Sequence, residues 1–275
     1  MTPDALLARL ERAPRTASLI VTVWGDAVAP RGGSLWLGTL QAILDRFGVN
    51  PGQLRTAMSR LTEEGWLARN RVGRLSYYRL GPRGESAFGA ASRRIYDGAP
   101  ATWDGRFRLA LTADPDLREA LAAQGFAALA PGVLAGLAGE LPSGAPVLLA
   151  EPRSLEEARQ VAARAWPLDG VAEGYARFLD LFAPLAGVEP APQDALPLRV
   201  LVVHEWRRVV LRDPRLPPDL LPKGWPGTQA RALAARLYHA LLPASEAWLD
   251  DEGRNEDGQL PPADRELASR FREAG

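Results

Sequence analysis

The run Asn50-Pro51-Gly52-Gln53-Leu54-Arg55-Thr56-Ala57-Met58-Ser59-Arg60-Leu61-Thr62-Glu63-Glu64-Gly65-Trp66-Leu67 carries both ends of a short helix and the opening of a strand. Asn50 suits an N-cap, Pro51 the first helical position, and Gln53 completes a capping box. Leu54, Ala57, Met58 and Leu61 recur at i, i+3, i+4 and i+7, so they share the inward face. Gln53, Arg55, Thr56, Ser59 and Arg60 then point outward, and Gly65 ends the helix. Trp66-Leu67 opens a strand that returns through Arg71-Val72-Gly73-Arg74 to Leu75-Ser76-Tyr77-Tyr78-Arg79-Leu80, the pattern of a hairpin.

Two helices are predicted upstream. The first covers 16–28, with Leu19, Ile20, Val23 and Trp24 on its apolar face, and stops at Pro30-Arg31-Gly32-Gly33. The second is expected to start at a Ser34 cap, carries Leu37, Leu40, Leu44 and Phe47, and ends at Gly48 as its C′ residue. Helix, tight turn, helix and hairpin in this order make a winged helix-turn-helix. An α-helix fits the major groove, and arginine bonds guanine bidentately. Gln53, Arg55, Thr56, Ser59 and Arg60 are therefore the candidate base and phosphate contacts on the helix, and Arg69, Arg71, Arg74 and Tyr77 those on the wing. A solvated helix face and an arginine-rich hairpin without a ligand are the competing reading.

Charge supports the nucleic-acid reading by position rather than in total. The 275 residues carry zero formal net charge, yet residues 1–98 hold 14 arginines against 8 acids, net +6, and residues 245–275 are net −5. Seven arginines against two glutamates fall between positions 51 and 83. Only Lys223 is lysine, so arginine richness by itself says little about phosphate. Cysteine is absent, which excludes disulfides, thiolate metal sites and cysteine nucleophiles. No secretory h-region follows the N-terminus, and the apolar stretch 125–139 is too short to span a membrane, so a cytoplasmic location is expected.

The segments 60–67 and 73–80, together with Asp213-Pro214-Arg215-Leu216-Pro217-Pro218-Asp219-Leu220-Leu221-Pro222-Lys223-Gly224-Trp225-Pro226-Gly227, resemble the PaaX family. The resemblance brackets most of the chain. It implies a homodimeric repressor of phenylacetic acid catabolism that occupies operator DNA and leaves it when an aryl-CoA thioester such as phenylacetyl-CoA binds.

Beyond the winged helix the expected architecture is α+β, in three parts: a winged-helix domain over 1–98, a ferredoxin-like middle domain over 99–168, and a helical effector and dimerisation domain over 169–275. The middle part is read as strand 106–112, helix 116–124, strands 126–129 and 147–150, and helix 155–164. The resemblance implies for this domain a fold similar to a small CRISPR-associated nuclease, which gives Asp114 and Asp116 a metal-dependent nuclease reading, against a plain strand-to-helix turn capped by Asp. For an anionic thioester the candidate anchors are Arg207, Arg208 and Lys223 for phosphates, with Trp206 or Trp225 for ring stacking. The alternative makes both tryptophans core or interface anchors. His204 and His239 lie 35 residues apart among apolar neighbours, which favours packed histidines over a metal pair. No GK[ST] phosphate loop and no complete nucleophile elbow occur, so neither a cofactor nor catalysis is expected. A CoA-thioester-binding enzyme with a winged-helix interaction module is the remaining alternative.

Overall fold

The computed structural model describes residues 2–98, 102–137 and 144–272. The elements run α1 (Pro3–Leu7), α2 (Thr16–Val23), β1 (Leu35–Trp36), α3 (Leu37–Asp45), α4 (Pro51–Glu63), β2 (Leu67–Val72), β3 (Leu75–Leu80) and α5 (Pro82–Tyr96). They continue with β4 (Phe107–Leu111), α6 (Pro115–Ala123), β5 (Ala127–Ala130), β6 (Val133–Gly136), β7 (Val147–Ala150), α7 (Leu155–Ala165), α8 (Asp169–Phe182), α9 (Pro192–Val210) and α10 (Pro226–Glu252). Mixed helix and sheet confirm the α+β class.

The chain divides into two compact units rather than three consecutive domains. One comprises residues 1–98, 175–211 and 228–275, and the other residues 99–174 and 212–227. The physical reason is a shared core. Leu196 and Val200 of α9, Leu249 of α10 and Leu260 are buried in the same apolar cluster as Leu19, Ile20, Leu40, Leu54 and Met58 of the winged helix. The expected boundary at residue 169 therefore gives way, because α9 and α10 contribute side chains to the winged-helix core.

Buried charges reinforce that core. Asp26 lies in a π-helical continuation of α2, Trp24–Val28, and is 1% exposed. Its Oδ2 accepts from Arg199 Nε of α9 at 2.6 Å, and its Oδ1 accepts from the Tyr96 hydroxyl of α5 at 2.8 Å. Arg199 also donates from Nη1 to Glu246 of α10 at 2.6 Å, and Glu246 accepts from Arg31 at 2.7 Å. Burial opposes the Arg199 charge, but Asp26, Tyr238 and Glu246 outweigh it and hold the guanidinium more basic than usual. Pro197 sits inside α9, where it removes the N–H that would reach the carbonyl of Gln193; that residue is exposed, so water can serve the carbonyl.

In the second unit the four antiparallel strands take the order β5-β6-β4-β7. This is the strand order of a ferredoxin-like sheet. The helix α7, however, follows the last strand, whereas in that fold the second helix precedes it. Ala158 and Ala162 of α7 pack with Phe107, Ala135, Leu216 and Leu220 in the unit's core. Asp114 Oδ1 accepts from the backbone N–H of Asp116 at 2.9 Å and caps α6, as the turn reading expects.

His204 is a core residue, 2% exposed, with Nδ1 3.1 Å from Thr22 Oγ1 of α2. Burial, and then the charges of Arg207 and Arg208, pull its pKa down from 6.5 to about 3. The folded chain keeps the ring neutral while the unfolded chain protonates it, so this contribution is complete above pH 6.5 and is lost as pH falls toward 3. We expect the unfolding free energy of the parent protein to fall between pH 6.5 and 4 more steeply than that of His204→Gln, by up to about 1.4 kcal/mol per pH unit. Urea titrations at stepped pH test this, and parallel curves for the two proteins would contradict it.

Candidate nucleic-acid interface

The helix α4 is built by its ends. Asn50 Oδ1 accepts from the N–H groups of Gly52 and Gln53 at 2.9 Å, and Gln53 Oε1 accepts from Asn50 N at 2.9 Å, closing the capping box. At the other end the Trp66 N–H donates to the Leu61 carbonyl at 2.9 Å, with Gly65 at φ 73 in the left-handed region. Leu54, Ala57, Met58 and Leu61 are buried, and Gln53, Arg55, Thr56, Ser59 and Arg60 are all exposed.

The wing is a three-stranded antiparallel sheet in the order β1-β3-β2, with Leu35 opposite Tyr78 and Trp36 opposite Tyr77. The two-residue strand β1 was not expected. It takes Leu35-Trp36 out of the helix start, so Ser34 does not cap α3; its hydroxyl donates to Glu256 instead. Gly73, at φ 59, is the first central residue of the β2–β3 turn, the position where a type II′ turn needs positive φ.

Exposed cations cover this surface unevenly. Arg69, Arg71 and Arg74 are exposed along the wing. Arg69 donates to Ser76 Oγ at 2.8 Å, and Arg71 to the Gly73 carbonyl at 3.2 Å. Arg60 pairs with Glu64 at 2.7 Å in an exposed i,i+4 contact, the kind worth little and readily exchanged for phosphate. Ser59 donates to Glu63 at 2.8 Å, and Thr56 to the Gly52 carbonyl at 3.0 Å. Among the described residues Arg55 and Arg74 make no side-chain hydrogen bond or ion pair, so their donors face solvent undiminished. Two other arginines of the basic run are structural. Arg79 bonds Glu256 at 3.0 Å, and Arg83 stacks 4.9 Å over the Trp66 ring. Tyr77 differs from Arg69, Arg71 and Arg74: it is 7% exposed, so little of its side chain is open to a contact.

The five effector candidates are divided between the two units. Trp206, Arg207 and Arg208 lie in the first unit, and Lys223 and Trp225 in the second. Trp206 is 1% exposed, donates to the Ile95 carbonyl at 2.8 Å, and packs with its ring centroid 5.6 Å from Phe178, so it is a core anchor and not a stacking platform. Arg208 pairs with Glu205 at 2.9 Å, and Lys223 is exposed. Trp225 packs half-buried against the second unit's core. Arg207 is different, since it helps line an apolar cleft of about 150 Å³ together with Val21, Trp66, Phe88, Ala91 and Val203. Sequence reasoning missed this cleft because α5, one of its walls, was not assigned. Among the described residues no cluster of histidine and carboxylate side chains has the arrangement of a metal site, and no helix is long and apolar enough to cross a membrane.

Residues 15–84 match the family described as PaaX-like protein, and residues 166–251 match the PaaX-like protein C-terminal domain. The chain is 35% identical over 272 residues to the transcriptional repressor PaaX of Escherichia coli strain K12, covering 89% of this chain and 86% of that one. Its fold is similar, at a TM-score of 0.57 and 23% identity, to the solved structure of the uncharacterized protein Rv0674 of Mycobacterium tuberculosis, covering 86% of this chain and 99% of the other. A basic winged helix whose core is closed by C-terminal helices, both family regions and this relative agree: the chain belongs to the PaaX family.

Proposed function

We propose that the chain is a DNA-binding transcriptional repressor of phenylacetate-type catabolic genes, released from its operator by an aryl-CoA thioester such as phenylacetyl-CoA. The observation that carries the DNA half is the outer face of α4, where Gln53, Arg55, Thr56, Ser59 and Arg60 are exposed above a fully buried opposite face. The role of the Escherichia coli relative agrees with it. Arg55 and Arg60 read base edges in the major groove, and Arg69, Arg71 and Arg74 neutralise flanking phosphates from the wing.

A homodimer on an inverted repeat places two such helices in successive major grooves. The second unit offers a surface for it. The strand β7 is one of the sheet's two terminal strands, and Leu148 and Leu149, 55% and 60% exposed, point to opposite faces of it. An exposed apolar edge is a liability unless another chain pairs with it. Antiparallel pairing of β7 with its copy in a second protomer continues the sheet and covers both leucines.

Gel-shift titration on the protein's own promoter region tests the reading. Arg55→Ala should weaken operator binding by about 1–3 kcal/mol and relax sequence preference, whereas Arg74→Ala should weaken all sequences alike and reduce the salt slope by about 0.9. Unchanged affinity in both variants would remove α4 and the wing as the interface. Leu149→Lys should convert the dimer to monomer in light-scattering chromatography and lower operator affinity. A dimer that persists in this variant would place the interface elsewhere.

A further inference from the structure

The apolar cleft of the first unit has walls from four parts of the fold. Val21 comes from α2, Phe88 and Ala91 from α5, Val203 and Arg207 from α9, and Trp66 from the joint between α4 and β2. Its volume of about 150 Å³ suits one substituted benzene ring and is far too small for a nucleotide.

One cation stands in this apolar setting. Arg207 donates from Nη2 to the Ser18 carbonyl at 3.1 Å and to Ser18 Oγ at 2.8 Å. Its Nε is buried with no hydrogen-bond partner, and among the described residues Arg207 forms no ion pair. A buried N–H left unmade costs about 1–3 kcal/mol, a cost that an incoming acceptor removes. Burial leads the influences on Arg207 and makes the guanidinium less basic than usual.

The position of Trp66 gives the cleft a mechanical consequence. The Trp66 N–H closes the C-terminus of α4 through Leu61, and its carbonyl accepts from Gly81 N at 2.9 Å at the start of α5. Contact there is close, since a methyl group added at Gly84 would lie 2.4 Å from the Trp66 carbonyl oxygen. Recognition helix, wing and α5 thus meet at one residue whose backbone is bonded on both sides and which also lines the cleft.

We propose that this cleft is the sensor site and that it takes a small aryl-acyl group, its ring against Phe88, Ala91 and Val203 and its carbonyl or carboxylate oxygen on Arg207. The inference rests on the repressor reading above and locates its effector. A ring inserted between α5 and the α2–α9 pair bears on Trp66 and so shifts α4 relative to the wing; release follows to the extent that the shifted state binds the ligand more tightly. The free aryl acid and its thioester share this chemistry, and in the thioester the carrier stays outside the cleft.

Calorimetric titration of phenylacetyl-CoA, phenylacetate and coenzyme A into the parent protein, Ala91→Leu and Arg207→Gln decides the matter. Ala91→Leu fills the cleft from a half-buried wall position and leaves every hydrogen bond in place, so it remains informative if Arg207→Gln folds poorly. We expect coenzyme A alone not to bind, and the binding ligand to lose about tenfold or more in affinity in each variant. Binding of phenylacetyl-CoA alone identifies the thioester as the source, and binding of phenylacetate the free acid. Undiminished thioester binding in Ala91→Leu overturns the cleft and leaves the repressor reading standing. Binding of neither ligand by the parent protein overturns the cleft and the effector half of that reading together.

Discussion

A buried carboxylate with its charge answered on every side holds the DNA-reading part of the chain to its C-terminal helices. Asp26 accepts from Arg199 and Tyr96, and Arg270 Nη1 reaches its backbone carbonyl at 2.7 Å. Arg199 extends the network to Glu246, and Glu246 returns it to Arg31 just beyond α2. Ionised groups taken out of water need such complete pairing, and removal of one partner leaves an uncompensated charge. The winged helix and helices α9 and α10 therefore share more than an apolar cluster. They share a polar lock whose members come from residues 26 to 270.

That lock makes sense of the basic face. A winged helix that only docked on an effector domain could turn freely beneath it, and ligand binding elsewhere would have little hold on it. Here the first helix of the winged helix is itself a wall of the cleft, with α9 beside it. The reading surface and the cleft belong to one unit. Trp66, capped by the Arg83 guanidinium and bonded through its backbone to α4 and α5, is the joint between them.

What was legible in the sequence was what is local. The capping box at Asn50 and Gln53, the i, i+3, i+4, i+7 face of α4 and the glycine of the wing turn are decided by residues within a few positions of each other, and the structure has them where the spacing placed them. The order of strands in the second unit was partly legible, although β6 lay hidden inside the apolar run 125–139, where strand and core stretch look alike. The strand β1 is only two residues long and exists because β3 pairs with it, which no local pattern announces. Partition of the chain was not legible, since it depends on Leu196 and Val200 entering a core whose winged-helix members are over 110 positions earlier. The same holds for the site. A tryptophan at 206 fits a ring platform as well as a core anchor until distant partners bury it, and the cleft beside Arg207 is formed by four parts of the chain that are far apart in sequence.

Hydrogen exchange followed by mass spectrometry, on the parent protein and on Asp26→Asn, tests most directly whether reader and C-terminal helices are one cooperative body. Loss of the carboxylate should cost about 3–5 kcal/mol and raise exchange in α4 and in α9 together, although the hydrogen bonds of the substituted side chain go to Arg199, Tyr96 and Arg270 and not to α4. Faster exchange confined to α2 and its π-helical continuation, with α4 and α9 as protected as before, would contradict it.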